Sequence, residues 1–385
     1  RADALGAVAD VAAAALRPFV ATVVRAALAE LGAETEHAEA VAGGAAAVAA
    51  AVAAGGDASA AVGPLASPFA DNAKAPLRRD ASTLAAAFFR ACDDRCDAEG
   101  AAPDCRDRLL EAAPLLLREL LNNLAEPDDA CRGQALEALA SYGDAVAVER
   151  QAEHLDMYRA TLQSAASAAR LGRKQIEEPV PALSRDAGLK TLLPPYLHSL
   201  LHGDPEQRES AALGIGELVR LSSEATLKPV AIKVAGPLIR VGGDRFGGPV
   251  KAAVLEALSA LLEVAPKLVK AFVPQLQATF AKALRDPALE VRRNGVTALG
   301  LLAPLSTRLD ALVTDLSSGA TADDAPDAVA AACLKGLAAV FGNATGPKPP
   351  SDASRDAARD AAEALAGHED PEVSKAAAAL SGVLG

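Results

Sequence analysis

The chain has 385 residues and a formal net charge of −12, and half of it is apolar, with one Met, no Trp and few aromatics. Its most apolar run, 40–54, is mostly Ala and Gly and falls short of the roughly 20 residues that cross a bilayer, and residues 1–16 lack the apolar core and cleavage site of a secretory signal. A soluble, cytoplasmic, non-membrane chain is therefore expected. In chain order, Arg1 to Leu16 reads as the second helix of a hairpin, and Pro18 opens a helix with Phe19, Val23, Val24 and Leu28 on its inner face. Helical spacing resumes from Thr35 to Ala54 after Gly32, with a short helix around Ala58 to Phe69 and a firmer one from Arg78 to Cys92 carrying Leu84, Phe88 and Phe89. Asp93 to Asp104, acidic and polar, predicts a surface loop.

Leu109 to Tyr142 is a clear two-helix unit: Leu109, Ala113, Leu116 and Leu120 form one stripe, and Ala135, Leu136, Leu139 and Tyr142 the other, around a turn at Glu126-Pro127-Asp128. Asp144 to Leu171 predicts one longer helix, and Gly172 to Gly188, with two prolines, breaks the period. From Leu189 the pattern is regular. Turn signals stand at Asp204-Pro205, Gly243-Asp244-Arg245, Asp286-Pro287, Asp323-Asp324 and Asp370-Pro371, at intervals of roughly 40 residues, the HEAT and armadillo period. The best-written unit places Phe272, Leu276, Phe280 and Leu284 on one helix and Val291, Gly295, Leu299 and Leu302 on the next, with Pro274 in a first turn where its missing N–H costs little.

A two-helix unit cannot bury its apolar faces alone, so the fold class is all-α, an α-solenoid of HEAT-type hairpins. The expected organisation is 1–171, a block of divergent repeats; 172–188, a non-repeat loop; 189–316, regular repeats; and 317–385, degenerate helical repeats that follow a Pro-rich linker at 346–350 in their last part.

Charge is uneven. Residues 1–188 hold 18 Lys and Arg against 28 Asp and Glu, residues 189–310 hold 15 against 11, and residues 311–385 hold 5 against 11. Only the central block is basic. This fits a surface for an acidic partner or for RNA, and it equally fits second helices that begin with Arg or Lys for local ion pairs.

Catalytic chemistry leaves almost no trace, and neither an enzyme nor a cofactor is expected. His198 and His202 stand at i and i+4 without an acid or an HExxH motif, and Gly214-Ile215-Gly216 lacks a phosphate-loop context. Cys92, Cys96 and Cys105 suggest zinc by spacing, but no fourth ligand or nearby His completes a site. No metal is expected, and an odd five cysteines without a disulfide framework fit a reducing compartment.

What remains is a binding scaffold, whose contacts would come from exposed helix faces and turns. The unusual turn is Gly242-Gly243-Asp244-Arg245-Phe246-Gly247-Gly248, where two glycine pairs bracket a charged and aromatic triplet. Arg240, Arg245, Phe246 and Lys251 are the candidate partner-binding residues. The bland alternatives are a solvated or locally paired cation for the three basic residues and a staple under the following helix for Phe246.

These residues carry a resemblance. Gly236 to Phe246, Val250 to Ala253, Phe272 to Phe280 and Lys282 to Leu284, with Gly203 to Gln207 and Gly216 to Leu221, resemble the C-terminal HEAT region of the general-control translational activator. Residues 189–316 carry the specific match, and the upstream half agrees in repeat order. The resemblance implies a ribosome-associated, non-catalytic activator of the initiation factor 2 alpha kinase that works during amino-acid starvation. It further implies that this region docks the kinase's RWD domain, with Arg240 or Arg245 as the matching arginine, and that ribosome contact belongs to the full-length protein. Gly247-Gly248-Pro249 departs from the family, whose members are bulkier there. An importin-type transport receptor, or another HEAT scaffold such as a phosphatase-scaffold type, is the alternative.

Overall fold

Backbone groups in this chain are satisfied locally: among the described residues of the computed structural model all regular structure is helical. The structure describes residues 17–31, 38–53, 58–69, 74–98, 103–171, 180–243, 246–346 and 348–385. The helix expected over residues 1–16 lies outside them. The chain divides into two compact units, Arg1–His198 and Ser199–Gly385.

The first unit contains α1 (Val20–Leu31), α2 (Ala38–Ala53), α3 (Ala58–Ala66), α4 (Ala75–Asp97), α5 (Cys105–Asn123), α6 (Asp129–Ala145), the single turn α7 (Val148–Gln151) and α8 (Leu155–Leu171). Helices α2, α4 and α6 stack in one row, and α1, α3, α5 and α8 in the other. The Leu109 stripe on α5 and the Tyr142 stripe on α6 are buried as the spacing predicts, and the Tyr142 ring meets Phe89 of α4 edge-on at 5.3 Å between centroids. Polar ties run between neighbouring hairpins: Arg78 pairs with Glu126 at 2.7 Å, and the Thr83 hydroxyl donates to Gln134 Oε1 at 2.9 Å.

Helix α9 (Asp186–His202) carries the boundary. The second unit continues with α10 (Pro205–Arg220), the short α11 (Glu224–Leu227), α12 (Ala231–Val241), α13 (Gly248–Val264), α14 (Val273–Ala283), α15 (Leu289–Leu302), α16 (Leu309–Ala320), α17 (Asp327–Asn343), α18 (Asp352–Leu365) and α19 (Pro371–Leu384). Helices α10, α13, α15, α17 and α19 stack in sequence, and α12, α14, α16 and α18 each cover the second helix of their own hairpin. Leu276, Phe280 and Leu284 are fully buried, each stabilising by about 2 kcal/mol through lost apolar surface.

Small residues set the spacing of that row. A Cβ on Gly216 would come within 3.2 Å of the Ala257 backbone, and one on Gly248 within 2.7 Å of the Ala288 Cβ. Gly248 is thus required by close approach; Gly247, before it, has an ordinary extended backbone. Three aspartates of the turn signals cap helices. Asp128 accepts from Cys131 N at 2.7 Å, Asp204 forms a capping box with Gln207, and Asp370 accepts from Glu372 N and Val373 N.

Four expectations need correction. Phe19 is 59 % exposed, because the helix proper begins at Val20 and turns Val20, Val24 and Ala27 inward instead. Asp93 to Asp104 is not one loop: α4 runs to Asp97, where Arg106 binds Asp93 and Asp97 at 3.0 and 2.6 Å and also donates to the Ala145 carbonyl. Asp144 to Leu171 is broken at Val146-Ala147, so that a short turn and a 3-10 segment precede α8. Finally, Cys96 and Cys105 form a disulfide with Cα atoms 5.6 Å apart, whereas the sequence suggested none. Spacing along the chain did not reveal that the end of α4 folds back beside the start of α5.

Candidate partner-binding site

Three arginines occupy the same place in three hairpins, near the start of the second helix, and perform the same task. Arg132 donates to the Glu126 and Pro127 carbonyls at 2.6 and 2.7 Å, Arg208 to Leu200 and Leu201 at 2.5 and 2.9 Å, and Arg292 to Asp286 and Pro287, both at 2.8 Å. Each guanidinium closes its turn by donating to carbonyls of the first helix's last turn or of the turn itself. In the hairpin of α12 and α13 the corresponding residue is Lys251, which follows Val250 as Arg292 follows Val291. Its ammonium goes elsewhere.

Lys251 Nζ pairs with Asp286 Oδ2 at 2.8 Å, and the two side chains are only 15 and 9 % exposed. Asp286 Oδ1 also accepts from Ala288 N at 2.9 Å. Lys251 therefore ties its hairpin to the next one. Local pairing likewise engages Arg220 with Glu256 and Glu263, and Arg285 with Asp315. Part of the central basic block is thus a ladder between repeats.

Phe246 lies half-buried beneath Arg208, whose guanidinium carbon is 4.7 Å from the ring centroid. This cation–π contact joins the unusual turn to the preceding hairpin; a staple under the following helix had been the bland expectation. Arg245 and Asp244 lie outside the described residues. Arg240 is exposed in the last turn of α12, and no hydrogen bond or ion pair among the described residues engages it.

Helix α12 explains why. Ala231, Val234, Ala235, Leu238 and Val241 face inward, leaving Ile232, Gly236 and Arg240 on the opposite side at i, i+4 and i+8. Ile232 is 69 % exposed, the most exposed large aliphatic side chain among the described residues, and a Cβ on Gly236 would meet nothing within 4 Å. Beside the end of α12, between it and α14, lies an open groove of about 610 Å³. Its lining includes Ile239, the buried Leu255 and Val291, and the charged Lys251, Lys282, Arg285 and Asp286.

The structure places Lys251 in the lining of this groove, leaves Arg240 outside that lining on the exposed face of α12, and places Phe246 on the turn that follows. Ile232, Lys282 and Arg285 were missed from sequence. Ile232 was detectable as an aliphatic residue off the buried stripe of its helix. Among the described residues, no three His, Cys, Asp or Glu side chains converge as metal ligands, and no helix is long and apolar enough to cross a membrane.

Stacked α-hairpins of this period define a HEAT-type α-solenoid, and residues 248–302 match the family model described as a HEAT-like repeat. Residues 1–187 match the model described as "Stalled ribosome sensor GCN1-like, HEAT repeats". The chain is a GCN1-like HEAT-repeat region. It is 34 % identical over 314 residues to Protein ILITYHIA of Arabidopsis thaliana, covering 81 % of this chain and 11 % of that protein. It is 40 % identical over 163 residues to the eIF-2-alpha kinase activator GCN1 of Saccharomyces cerevisiae, covering 42 % of this chain and 6 % of that protein. The chain thus spans about a tenth or less of the length of the curated relatives it matches. Among solved structures, a designed armadillo repeat protein aligns with a TM-score of 0.38 at 17 % identity, covering 70 % of this chain and all of that one.

Proposed function

We propose that the chain is a non-catalytic docking segment of a cytoplasmic, ribosome-associated kinase activator, and that its second unit holds the RWD domain of the initiation factor 2 alpha kinase. The family supports the scaffold role: a yeast relative is named an eIF-2-alpha kinase activator, and the matching family model is that of a stalled-ribosome sensor. The observation that carries the docking reading is Arg240. It is an exposed arginine at the end of a helix whose outer face also presents Ile232. An exposed Arg beside an aliphatic anchor is a common composition for a protein interface.

The mechanism is tethering. The scaffold performs no chemistry; it raises the local concentration of the kinase where the activator sits. Ribosome contact belongs to the full-length protein, and direct RNA contact by this chain is not needed for the reading. The transport-receptor alternative gains no observation of its own. Capture of the purified RWD domain by the full chain, compared with an Arg240→Glu variant of unchanged circular dichroism, tests the proposal. Capture by the native chain and loss in the variant is the expected result; equal capture by both removes Arg240 from the interface.

A further inference from the structure

We propose that the outer faces of α12 and α14 together form one docking surface for the acidic face of a partner protein, with carboxylates on Lys233, Arg240 and Lys270 around an apolar side chain on Ile232. The inference deepens the docking reading and rests on it for the partner's identity.

The surface holds cations that nothing neutralises. Residues 225–243 contain three Lys or Arg and residues 264–285 contain four, and neither stretch contains an Asp or Glu. These stretches carry α12 and α14 with the turns that lead into them. Lys228, Lys233, Arg240, Lys267 and Lys270 are all exposed, and no hydrogen bond or ion pair among the described residues engages their side chains. Lys282 and Arg285 have partners and do not count. On the neighbouring first helix, α16, the carboxylates are occupied: Asp315 by Arg285, and Asp310 by Ser351 and Ser354. Glu224 borders the surface at α11. Five uncompensated cations draw acidic groups locally although the whole chain carries −12.

Packing puts these side chains on one side. Val234, Leu238 and Val241 of α12, and Val273, Leu276 and Phe280 of α14, are buried toward the second helices. Ile232, Gly236 and Arg240 on the one, and Gln275 and Ala278 on the other, therefore face away from that row. Both helices start at the same end, because Arg220 at the end of α10 reaches Glu263 at the end of α13, and those ends lead into α12 and α14. Lys228 and Lys233 thus stand beside Lys267 and Lys270. Gly236 leaves a flat gap between Ile232 and Arg240, since a Cβ there would meet nothing within 4 Å.

The apolar centre decides between protein and nucleic acid. A strand of RNA would use aromatic platforms beside a basic track. Helix α12 has no aromatic residue, Phe280 is buried and Phe272 half-buried. Ile232, 69 % exposed among free cations, instead matches the apolar centre and polar rim of a protein interface.

The test uses the full chain and two probes. One is the kinase's RWD domain; the other is a labelled peptide with Glu and Leu at helical spacing, beside its Gln-for-Glu counterpart and a uridine-rich single-stranded RNA. Both probes are expected to bind, and Lys233→Glu, Lys270→Glu and Gly236→Leu each to weaken both by at least about ten-fold. Lys375→Glu, on α19 in the other row, is expected to change nothing. Lys233 and Lys270 stand at helix starts, where the dipole favours Glu, and Leu is a better helix former than Gly, so unchanged or raised melting temperatures keep the loss a property of the surface. Equal binding of the Gln peptide, or indifference of both probes to Lys270→Glu and Gly236→Leu, would overturn the assignment. RNA that binds in place of the peptide and is lost in the same variants would overturn it too. The two readings fail separately. RWD capture lost in Arg240→Glu but retained in Lys270→Glu and Gly236→Leu leaves docking standing and removes the two-helix surface. Peptide binding that the three variants lose, without RWD capture, does the reverse.

Discussion

Replacing Lys251 with Met keeps most of the length of the side chain and removes its charge, which makes it the sharpest probe of whether this residue is a staple or a contact. In the native unit Asp286 accepts two hydrogen bonds, from Lys251 Nζ at 2.8 Å and from Ala288 N at 2.9 Å, with its side chain 9 % exposed. The substitution leaves a nearly buried carboxylate with a single donor. A hydrogen bond to a charged group is worth about 1.5–3 kcal/mol, and breaking a fully buried pair costs about 3–5 kcal/mol. Residual exposure of Lys251 argues for the lower range, so about 2–3 kcal/mol is expected. In a unit of this size that lowers the midpoint by roughly 4–12 °C. Thermal melts followed by circular dichroism give the shift, and hydrogen exchange localises it to the turns before α13 and α15. Adding Asp286→Asn removes the stranded charge and is expected to recover part of the loss, a coupling that a double-mutant cycle reads. A loss below about 0.5 kcal/mol would put Lys251 with ordinary exposed pairs and refute the staple. It would then return to the list of contacts.

Arg208→Ala removes two carbonyl hydrogen bonds and the stack on Phe246. It is expected to cost about 2 kcal/mol and to speed amide exchange around Gly203; unchanged exchange would show that the guanidinium is not what closes the turn. Denatured without reductant, the chain is expected to titrate three thiols, Cys92, Cys131 and Cys333, and five after reduction. The bond closes a loop between residues nine apart in sequence, so reduction is expected to destabilise the first unit by about 2–3 kcal/mol; five thiols before reduction would mean that the pair is open. Burial pushes the His154 imidazole below its ordinary 6.5. The unfolded chain then binds more protons than the folded one as pH drops below about 6.5, so stability falls with pH in that window. His154→Gln is expected to flatten this part of the stability profile, and an unchanged slope would assign the effect to other groups.

The sequence made the repeats legible wherever side chains were large and turns were punctuated. The Leu276, Phe280 and Leu284 stripe translated directly into a buried face, and the turns Asp204-Pro205 and Asp370-Pro371 into helix caps. Where Ala carries the pattern the boundaries drifted, because an Ala-rich stretch has no strong periodicity to say where a helix turns over; the break at Val146-Ala147 went unseen for that reason. The site was half legible. Arg240 and Lys251 shared the signature of a basic residue near a turn, yet only the geometry separates an exposed guanidinium from an ammonium held by an aspartate 35 residues away. Lys282 and Arg285, on another hairpin, join the groove of Lys251 through stacking, which one sequence does not express.

Titrating the kinase's RWD domain against the full chain and its Arg240→Glu variant at two ionic strengths tests the central claim most directly. The expected result is binding that weakens with salt and a variant that binds at least about ten-fold more weakly, with unchanged helicity. Binding that is indifferent to both salt and Arg240, or no binding by the folded native chain, would contradict it.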